Sequence, residues 1–321
     1  MRCLSFLSPW RDGWRNLAAD EYFLTALSPD DILLYFYVNE NAVVIGRNQN
    51  AWRECNLANM EADGVQLVRR MSGGGAVYHD GGNLNFSFHL PKSCYDVERQ
   101  LTVILNALRA LGVEAAFTGR NDLTAGGKKF SGSAFCARGD RMLHHGTLLV
   151  SADLEKLSGY LNVSEQKIKS KGVASVRARV CNLSDLVSGL TTDDTRRAVE
   201  EAFAAAYGPW TPWRPESAKA ELEALYEKHR SWTWRLGESA LFTWEGEKRF
   251  PWGEVQLGLS VQNGVVDEAV LHTDALDTQL PRRVAHALAG VQFSAREMSA
   301  ALRRAGGGEL AELAEWLEEN S

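Results

Sequence analysis

The sequence has no run of about 18 apolar residues, the length that a helix needs to cross a bilayer. Its first residues, M-R-C-L-S-F-L-S-P-W-R-D, meet proline and charge before an apolar segment of signal-peptide length can form. These two absences predict neither a transmembrane helix nor a secretory leader. We therefore expect a cytoplasmic protein with no membrane partner.

Cysteine is also scarce, and no C-x-x-C pair occurs. The five cysteines are an odd number, and each lies roughly 40 residues or more from the next. A disulfide framework needs denser cysteine, and a structural zinc site needs paired ligands. We expect reduced thiols that are buried or partly buried: Cys3, Cys55, Cys94, Cys136 and Cys181.

The chain has no excess of basic residues. Its formal net charge is −6 over 321 residues, and 45% of them are hydrophobic. Nucleic-acid binding needs a basic surface, so nucleic acid is not an expected partner. The length and the apolar content suit a folded protein with a substantial core and one or two domains.

What the sequence does contain is a glycine-rich segment beside two arginines, R-R-M-S-G-G-G-A-V-Y-H-D-G-G-N-L-N, from Arg69 to Asn85. Glycines without Cβ atoms let backbone N–H groups approach an anion closely. A guanidinium binds phosphate or carboxylate oxygens in a bidentate manner. The segment favours an anion-binding loop, and the alternative is a glycine-rich turn with its arginines in solvent.

A second motif, G-R-N-D-L-T-A-G-G-K-K-F-S-G-S-A, runs from Gly119 to Ala134. A lysine among small residues can bring a compact positive charge close to a ligand, although a solvated hairpin tip is the alternative. Asn121 and Asp122 offer oxygen ligands for Mg²⁺, or form an Asx turn. A third motif contains His144 and His145, which point to opposite faces of a strand and so make a poor pair of ligands for one metal.

The first 200 residues mix strand and helix signals and predict a mixed α/β or α+β domain. Strands are expected at Ile32 to Val38, Val43 to Gly46, Leu84 to Leu90 and Thr147 to Val150. Helices are expected around Leu101 to Leu111, ending at Gly112, and over Thr195 to Tyr207. The glycine loop is thereby predicted to lie between strands.

A second, smaller α+β unit is predicted at the C-terminal end. After a helix around Ala218 to His229, tryptophans and glycines mark a crossing between domains, and we place the boundary between residues 243 and 244. The expected elements beyond it are strands at Glu254 to Val261 and Val265 to His272, then helices at Pro281 to Ala289, Ser294 to Arg303 and Glu309 to Glu319.

Taken in order along the chain, these motifs resemble the lipoate–protein ligase A family. The resemblance rests on V-V-I-G-R-N-Q-N, the R-R-x-S-G-G-G-A-V-Y-H-D segment, the G-R-N-D-L segment with K-x-S-G-S-A, H-H-G-T-L-L, and K-G-V-x-S-V-R-x-R-V-x-N-L at residues 171–183. It implies a large catalytic domain with mixed sheets, at residues 1–243, and a small accessory domain at residues 244–321. The same fold occurs in biotin–protein ligases and octanoyltransferases.

The resemblance also implies roles for single residues. Lys129, before F-S-G-S-A, becomes the catalytic lysine that contacts both the lipoyl carbonyl and the phosphate. The implied ATP-binding residues are Arg70, Gly75, Ala76, Val77, Tyr78, Asn83, Asn121, Asp122 and Lys129. Gly74, His145, Gly146 and Lys129 are implied to bind lipoate, and Asp122 is the candidate magnesium ligand.

The implied reaction is the ATP-dependent activation of lipoate to lipoyl-AMP, with release of pyrophosphate, followed by transfer to a lysine ε-amine. ATP and Mg²⁺ are needed, and no tightly bound organic cofactor is expected. The implied partners are lipoic acid and lipoyl carrier domains: the E2 subunits of 2-oxoacid dehydrogenases and the H protein of glycine cleavage.

Two alternatives remain open at this point. An octanoyltransferase or lipoyl acyltransferase of the same fold forms a thioester on a cysteine, but Met142 stands where one type has that cysteine and Cys136 fits neither type. A non-catalytic carrier of lipoate or nucleotide is the second, although Arg70 and Lys129 are both present. A biotin–protein ligase is disfavoured because R-M-S-G-G-G replaces its G-R-G-R-x-G loop.

Overall fold

The computed structural model describes residues 1–118, 121–161, 180–214, 219–236, 244–262 and 264–319. It divides into two compact units. The larger unit comprises Met1–Ile45, Trp52–Arg70 and Ala76–Arg235, and the smaller unit comprises Gly46–Ala51, Met71–Gly75 and Leu236–Ser321. Within the described ranges, no helix is both long enough and apolar enough to cross a membrane.

The larger unit is a mixed α/β structure. Its strands are β1 (Arg2–Leu7), β2 (Asp31–Tyr37), β3 (Ala42–Ile45), β4 (Gln66–Arg69), β5 (Val77–His79), β6 (Asn83–Pro91), β7 (Ala115–Thr118), β8 (Asp122–Ala125), β9 (Lys128–Arg138), β10 (Arg141–Leu149) and β11 (Trp210–Pro212). Its helices are α1 (Gly13–Ala26), α2 (Ala51–Glu54), α3 (Leu57–Ala62), α4 (Val97–Ala110), α5 (Leu157–Tyr160), α6 (Thr192–Tyr207), α7 (Lys219–Arg230) and α8 (Trp232–Arg235). Short 3₁₀ helices cover Lys92–Cys94 and Leu183–Asp185.

Eight of these strands form one sheet in the order β11-β1-β2-β6-β10-β9-β8-β7. Strand β1 is parallel to β2 and β11, and the pairs from β2 through β6, β10, β9 and β8 to β7 are antiparallel. A second sheet has the order β4-β3-β5, in which β4 is an edge strand parallel to β3.

The two faces of the large sheet differ in chemistry. Strand β6 sends Leu84, Phe86 and Phe88 into an apolar core formed with α4 and α6. Its intervening residues Asn83, Asn85, Ser87 and His89 are buried polar side chains on the opposite face. Helix α1 packs on that second face with Tyr35 and Tyr37 of β2. The large sheet therefore has one apolar face and one buried polar face, and the polar face is the one that can offer hydrogen-bonding groups to a ligand.

The smaller unit has its own sheet and core. Strands β12 (Trp244–Phe250), β13 (Gly253–Gln262) and β14 (Val265–Thr273) form an antiparallel sheet. Helices α9 (Leu280–Leu288), α10 (Ala295–Ala305) and α11 (Glu309–Glu319) follow. Leu257, Leu302 and Leu313 are among the buried residues of this core.

The elements expected from the sequence agree with the structure in type and order. Helix α4 ends as predicted because Gly112 adopts φ +82°, a left-handed conformation in which glycine is favoured after a helix. Strand β12, which begins at Trp244 within the predicted aromatic and glycine-rich crossing, was not predicted from the sequence. Some predictions fall on residues outside the described ranges. These residues are Gly119, Arg120, residues 171–179, Ala218 and residue 243, the last residue before the predicted domain boundary.

We expect Phe203→Ala to lower the free energy of unfolding by about 3–5 kcal/mol, because it opens a cavity in the apolar core. Phe203 is fully buried on α6, and its ring lies 5.2 Å from that of Tyr207. Leu186→Ala is the matched control, since Leu186 is 47% exposed. Urea denaturation compares the two, and equal losses would contradict this account of the core.

Candidate active site

Lys129 lies at the start of a long strand that follows a tight turn. Gly126 and Gly127 form that turn at φ +57° and +77°, and β9 begins at Lys128. The Lys129 Nζ lies 2.7 Å from the Asp122 Oδ1 on the neighbouring strand β8. The glycines thus occupy the tip of the hairpin. Lys129, the lysine of the K-K pair that the sequence motif favours as the catalytic one, lies beyond the tip, within the sheet.

The Lys129–Asp122 ion pair is accessible to solvent. The two side chains are 39% and 35% exposed, so water screens the pair and its net contribution to stability is at most about 1 kcal/mol. The backbone is held more firmly, because the Lys129 carbonyl accepts a bond from the Cys181 N–H at 2.9 Å. The result is a fixed strand carrying an ammonium group that can exchange one anionic partner for another.

Small residues keep the space around this lysine open. A Cβ on Gly132 would lie 3.0 Å from the Lys129 Nζ. The Asn121 side-chain amide donates to the Ser133 carbonyl at 2.6 Å, and the Ser133 N–H donates to the Asn121 carbonyl at 2.8 Å. Asn121 is thereby fixed to strand β9, directly before the Asp122 that contacts Lys129. Their roles toward ATP stay predictions.

Arg70 follows strand β4 and points into the interior of the larger unit. It is 7% exposed, its Nη1 donates to the Val44 carbonyl at 3.2 Å, and its backbone N–H donates to the Ile45 carbonyl at 3.0 Å. Burial lowers the pKa of His79 to about 3, and the positive charge of Arg70 adds to that shift. The Arg70 guanidinium is therefore near enough to His79 of strand β5 for its positive charge to disfavour protonation of that ring.

Ala76, Val77 and Tyr78 lead into and form strand β5, and Asn83 begins β6. The Asn83 side-chain amide donates to the Asn85 Oδ1 at 3.1 Å, and the Asn85 amide in turn donates to the Tyr37 carbonyl at 3.2 Å. The Asn83 Oδ1 is buried and makes no hydrogen bond among the described residues. A buried acceptor of this kind suits a donor supplied by a ligand.

His145 belongs to a buried charge cluster on the same face. The Asp20 carboxylate of α1 lies 2.9 Å from the His145 Nδ1 and 3.0 Å from the His89 Nε2. Burial by itself raises the pKa of Asp20, but the hydrogen bonds with His145 and His89 lower it well below its usual range. Because an ionised carboxylate only accepts, those two ring nitrogens are the donors.

His144, the neighbour of His145, points to the other face of the sheet. Its Nδ1 lies 2.7 Å from the Gln100 Oε1 of helix α4. The sequence-based expectation that these two histidines face apart is therefore confirmed. Gly146 is required by packing, since an added Cβ would lie 2.6 Å from the Phe86 Cζ, and its contact with lipoate stays a prediction.

Gly74 and Gly75 belong to the smaller unit, as does the whole loop Met71–Gly75. Gly74 adopts φ +94°, which favours glycine, and its N–H donates to the Ala275 carbonyl at 3.3 Å. A Cβ on Gly73 would lie 2.2 Å from the same carbonyl. The triple glycine is thus explained in part by close backbone packing, and anion binding by Gly74 and Gly75 stays a prediction.

Some polar groups near these residues were not singled out from the sequence. The His79 Nε2, Ser131 Oγ and Ser133 Oγ are buried and make no hydrogen bond among the described residues. His79 is anchored through its Nδ1, 3.1 Å from the Asn39 Nδ2. The sequence feature that could have identified them is their position inside two of the motifs, A-V-Y-H-D and K-F-S-G-S-A.

The donor set around Lys129 suits magnesium only in part. Across the described residues, no three His, Cys, Asp or Glu side chains cluster closely enough to hold a metal ion. Asp122 supplies one carboxylate beside Lys129. Magnesium in nucleotide sites is commonly held by one or two carboxylates together with phosphates and water. The residues therefore fit a magnesium ion that arrives with a nucleotide.

Comparison with known proteins identifies relatives for both parts of the chain. Residues 12–204 match the model of the lipoyl protein ligase A/B catalytic domain, and residues 239–317 match that of the bacterial lipoate protein ligase C-terminus. A lipoate-protein ligase A from Psychrobacter cryohalolentis is 42% identical over 297 residues, which is 89% of this chain and 88% of the relative.

Solved structures resemble the chain as well. LipL1 of P. falciparum, solved in complex with lipoate, has a TM-score of 0.86 at 28% identity over 98% of this chain and 99% of its own. A bipartite lipoate protein ligase of Thermoplasma acidophilum, studied with its E2 lipoyl domain, gives 0.68 at 30% over 76% and 99%. A lipoate-protein ligase A bound with ATP gives 0.64 at 30% over 74% and 98%.

We expect the protein to lose stability as pH falls from about 6.5 toward 4. Burial lowers the pKa of His79 and of His144 to about 3, and it also lowers those of His89 and His229. At His79 and His144 the unfolded chain takes up a proton near pH 6.5 and the folded chain does so only near pH 3, so each of these two residues reduces stability by up to about 1.4 kcal/mol per pH unit between those values.

Urea denaturation between pH 7.5 and 4.5 tests this expectation. Asp20 and Glu21 contribute little over most of this range, because a lowered carboxylate pKa removes stability only below about pH 5. His144→Asn should flatten the pH dependence, and His286→Asn, at an exposed position, is the matched control. Parallel pH profiles for the parent and His144→Asn would show that the buried histidine is not responsible.

Proposed function

The chain belongs to the lipoate–protein ligase A family and is a lipoate–protein ligase, and we propose that it works in two steps through lipoyl-AMP. The first step joins the lipoate carboxylate to the α-phosphate of ATP and releases pyrophosphate. The second transfers the lipoyl group to a lysine ε-amine. The observation that carries the proposal is Lys129, fixed in the sheet beside Asp122, where Gly132 has no side chain to crowd its ammonium group.

Adenylation brings two anions, the lipoate carboxylate and the α-phosphate, close together. Positively charged groups of the larger unit can reduce the repulsion between them. Lys129 exchanges its ion pair with Asp122 for contacts with the lipoate carbonyl and the α-phosphate. Arg70, already oriented by the Val44 carbonyl, adds a second positive charge. Because Arg70 is oriented before the reaction, it stabilises the developing charge without reorganising.

Lipoate is proposed to enter along the polar face of the large sheet, with its carboxylate at Lys129, the His145 side chain along its path and the backbone of Gly146 beside it. Asp20 fixes the His145 ring through its Nδ1. The nucleotide is assigned to Arg70, Gly75 to Tyr78, Asn83, Asn121 and Asp122, and Gly74 is assigned to lipoate. The buried Oδ1 of Asn83 supports its assignment, because a nucleotide hydroxyl can donate to it.

Magnesium is the proposed metal, bound by Asp122 and the nucleotide phosphates. When bound, it neutralises phosphate charge. The chain's own part is to present the Asp122 carboxylate next to Lys129, so that metal, lysine and phosphate meet at one place. We propose that the protein works in the cytoplasm, where ATP is available.

The second step needs an acceptor amine and the exclusion of water, because the mixed anhydride is already reactive. We propose lipoyl carrier domains as acceptors, namely E2 subunits and the H protein. The E2 lipoyl domain studied with the Thermoplasma ligase supports a carrier domain in general. We assign catalysis to residues 1–243 and an accessory role to residues 244–321, consistent with the two family models.

A cysteine thioester is not needed for this chemistry, and the buried cysteines are poorly suited to forming one. Burial raises the pKa values of Cys3 and Cys181 and raises that of Cys55 to about 12. A thiol held in its neutral form is a weak nucleophile. The cysteine acyltransferase is therefore the less favoured alternative for these three positions.

We expect pyrophosphate release that depends on lipoate and occurs without any carrier domain. The residues assigned to adenylation all belong to this chain, so the acceptor is not required for the first step. A coupled pyrophosphate assay with lipoate, ATP and Mg²⁺ measures it, with lipoate omitted as the control. Release only in the presence of a carrier would overturn the two-step order.

We expect Lys129→Ala to lower ligation by at least about 100-fold, because it removes a main electrostatic stabiliser. Lys128→Ala is the matched control and should be mild, since Lys128 is exposed. Intact mass of an apo carrier domain, incubated with lipoate and ATP, gives the readout. Small and equal effects of the two changes would remove Lys129 from the proposed chemistry.

A further inference from the structure

The outer edge of strand β4 is capped by two tryptophans. The Trp14 indole N–H of α1 donates to the Leu67 carbonyl at 2.8 Å. The Trp234 indole N–H of α8 donates to the Arg69 carbonyl at 3.0 Å. Carbonyls two residues apart in a strand point to the same edge. Two side chains therefore bond the groups that a further strand would otherwise pair.

The Arg69 side chain in turn donates hydrogen bonds to the helix that carries Trp234. Its Nε donates to the Trp234 carbonyl at 2.9 Å, and its Nη2 donates to the Arg235 carbonyl at 2.7 Å. Carbonyls at a helix C-terminus have no donor within the helix, and a planar guanidinium can satisfy two of them at once. We call this reciprocal pair of contacts the Arg69–Trp234 clasp.

The tryptophan end of the clasp is itself fixed. The Lys228 Nζ lies 4.1 Å from the centre of the Trp234 ring, and the His229 ring lies 5.3 Å from it. Both residues also bind the buried Glu21 carboxylate of α1, at 2.6 Å and 2.8 Å. Trp234 thus rests on an ion network that joins α7 to α1, which makes it a rigid support for β4.

The residue next to the clasp is Arg70. Consecutive side chains of an extended segment point to opposite sides, so Arg69 faces α8 while Arg70 faces the interior and the Val44 carbonyl. The clasp holds the Arg69 backbone at its carbonyl and its side chain at a helix end. It therefore fixes the backbone from which the Arg70 side chain departs.

We propose that Arg69 and Trp234 are positioning residues for adenylation, acting through Arg70. This inference rests on the proposed nucleotide role of Arg70. Loosening the clasp lets the Arg70 guanidinium depart from the position that meets the phosphate, and small displacements of an aligned group reduce rate steeply. The clasp itself touches no substrate.

The first test compares Trp234→Phe with Trp14→Phe. Each variant keeps an aromatic ring and removes one indole N–H from the same edge of β4, but only the first belongs to the clasp. We expect Trp234→Phe to lower kcat/KM for ATP by about 10-fold or more in lipoate-dependent pyrophosphate exchange. Trp14→Phe should keep the parent value within about twofold at a similar loss of stability.

The second test is a double-mutant cycle. Arg69→Met should lower kcat/KM for ATP in the parent but add nothing in an Arg70→Ala background, whereas its effect on the urea midpoint should persist in both. Losses of kcat/KM that multiply, or equal losses for Trp14→Phe and Trp234→Phe, would overturn the proposal.

The two hypotheses can fail separately. A parent without lipoate-dependent exchange contradicts the proposed function. In that event, calorimetric titration with ATP measures how the clasp variants change ATP affinity, without any need for turnover. Unchanged ATP affinity in Arg69→Met and Trp234→Phe would then overturn the clasp proposal. A parent that exchanges normally, with the variant losses multiplying, contradicts the clasp and leaves the ligase intact.

Discussion

The alternation of apolar and polar side chains along strand β6 is the constraint on which the rest of the larger unit depends. Because its side chains alternate, Leu84, Phe86 and Phe88 enter one core while Asn83, Asn85 and His89 are buried on the other face. The register with β2 and β10 extends this division, so that Tyr37 lies opposite Asn85 and His145 opposite Ser87. A shift of one residue would place the polar row in the apolar core. The position of the candidate site is therefore set by strand pairing as much as by any loop.

Two adjacent carboxylates on α1 hold this polar face in order. Asp20 faces the sheet and accepts from His89 and His145, while Glu21 binds Arg138, Lys228 and His229. Burial by itself raises the pKa of Glu21, but hydrogen bonds with His229 and Lys228 bring it down to about 2. Buried charges persist only when partners satisfy them. One helix turn thus ties the sheet, strand β9 and helix α7 together.

Much of the fold was predictable from local pattern. The alternation of Leu84 to Leu90 predicted β6, the apolar face from Leu101 to Leu111 predicted α4, and Gly112 marked its end. The order of the motifs along the chain was enough to indicate the family. Strand β12 was not predicted, because its sequence W-E-G-E-K-R-F alternates between partly buried and exposed residues and carries little apolar signal.

The sequence by itself determined the types of the elements, the separation of His144 from His145 and the identity of the lysine motif, because these follow from spacing within one segment. Only the tertiary structure decided that Lys129 meets Asp122, that Asp20 reaches histidines on the neighbouring strands β6 and β10, and that Arg69 and Trp234 bond to each other. It also assigned the loop Met71–Gly75 to the smaller unit while the flanking strands belong to the larger one. These contacts join residues up to 165 positions apart. Their partners depend on how the strands pair and how the helices pack, which the local periodicity of the sequence does not record.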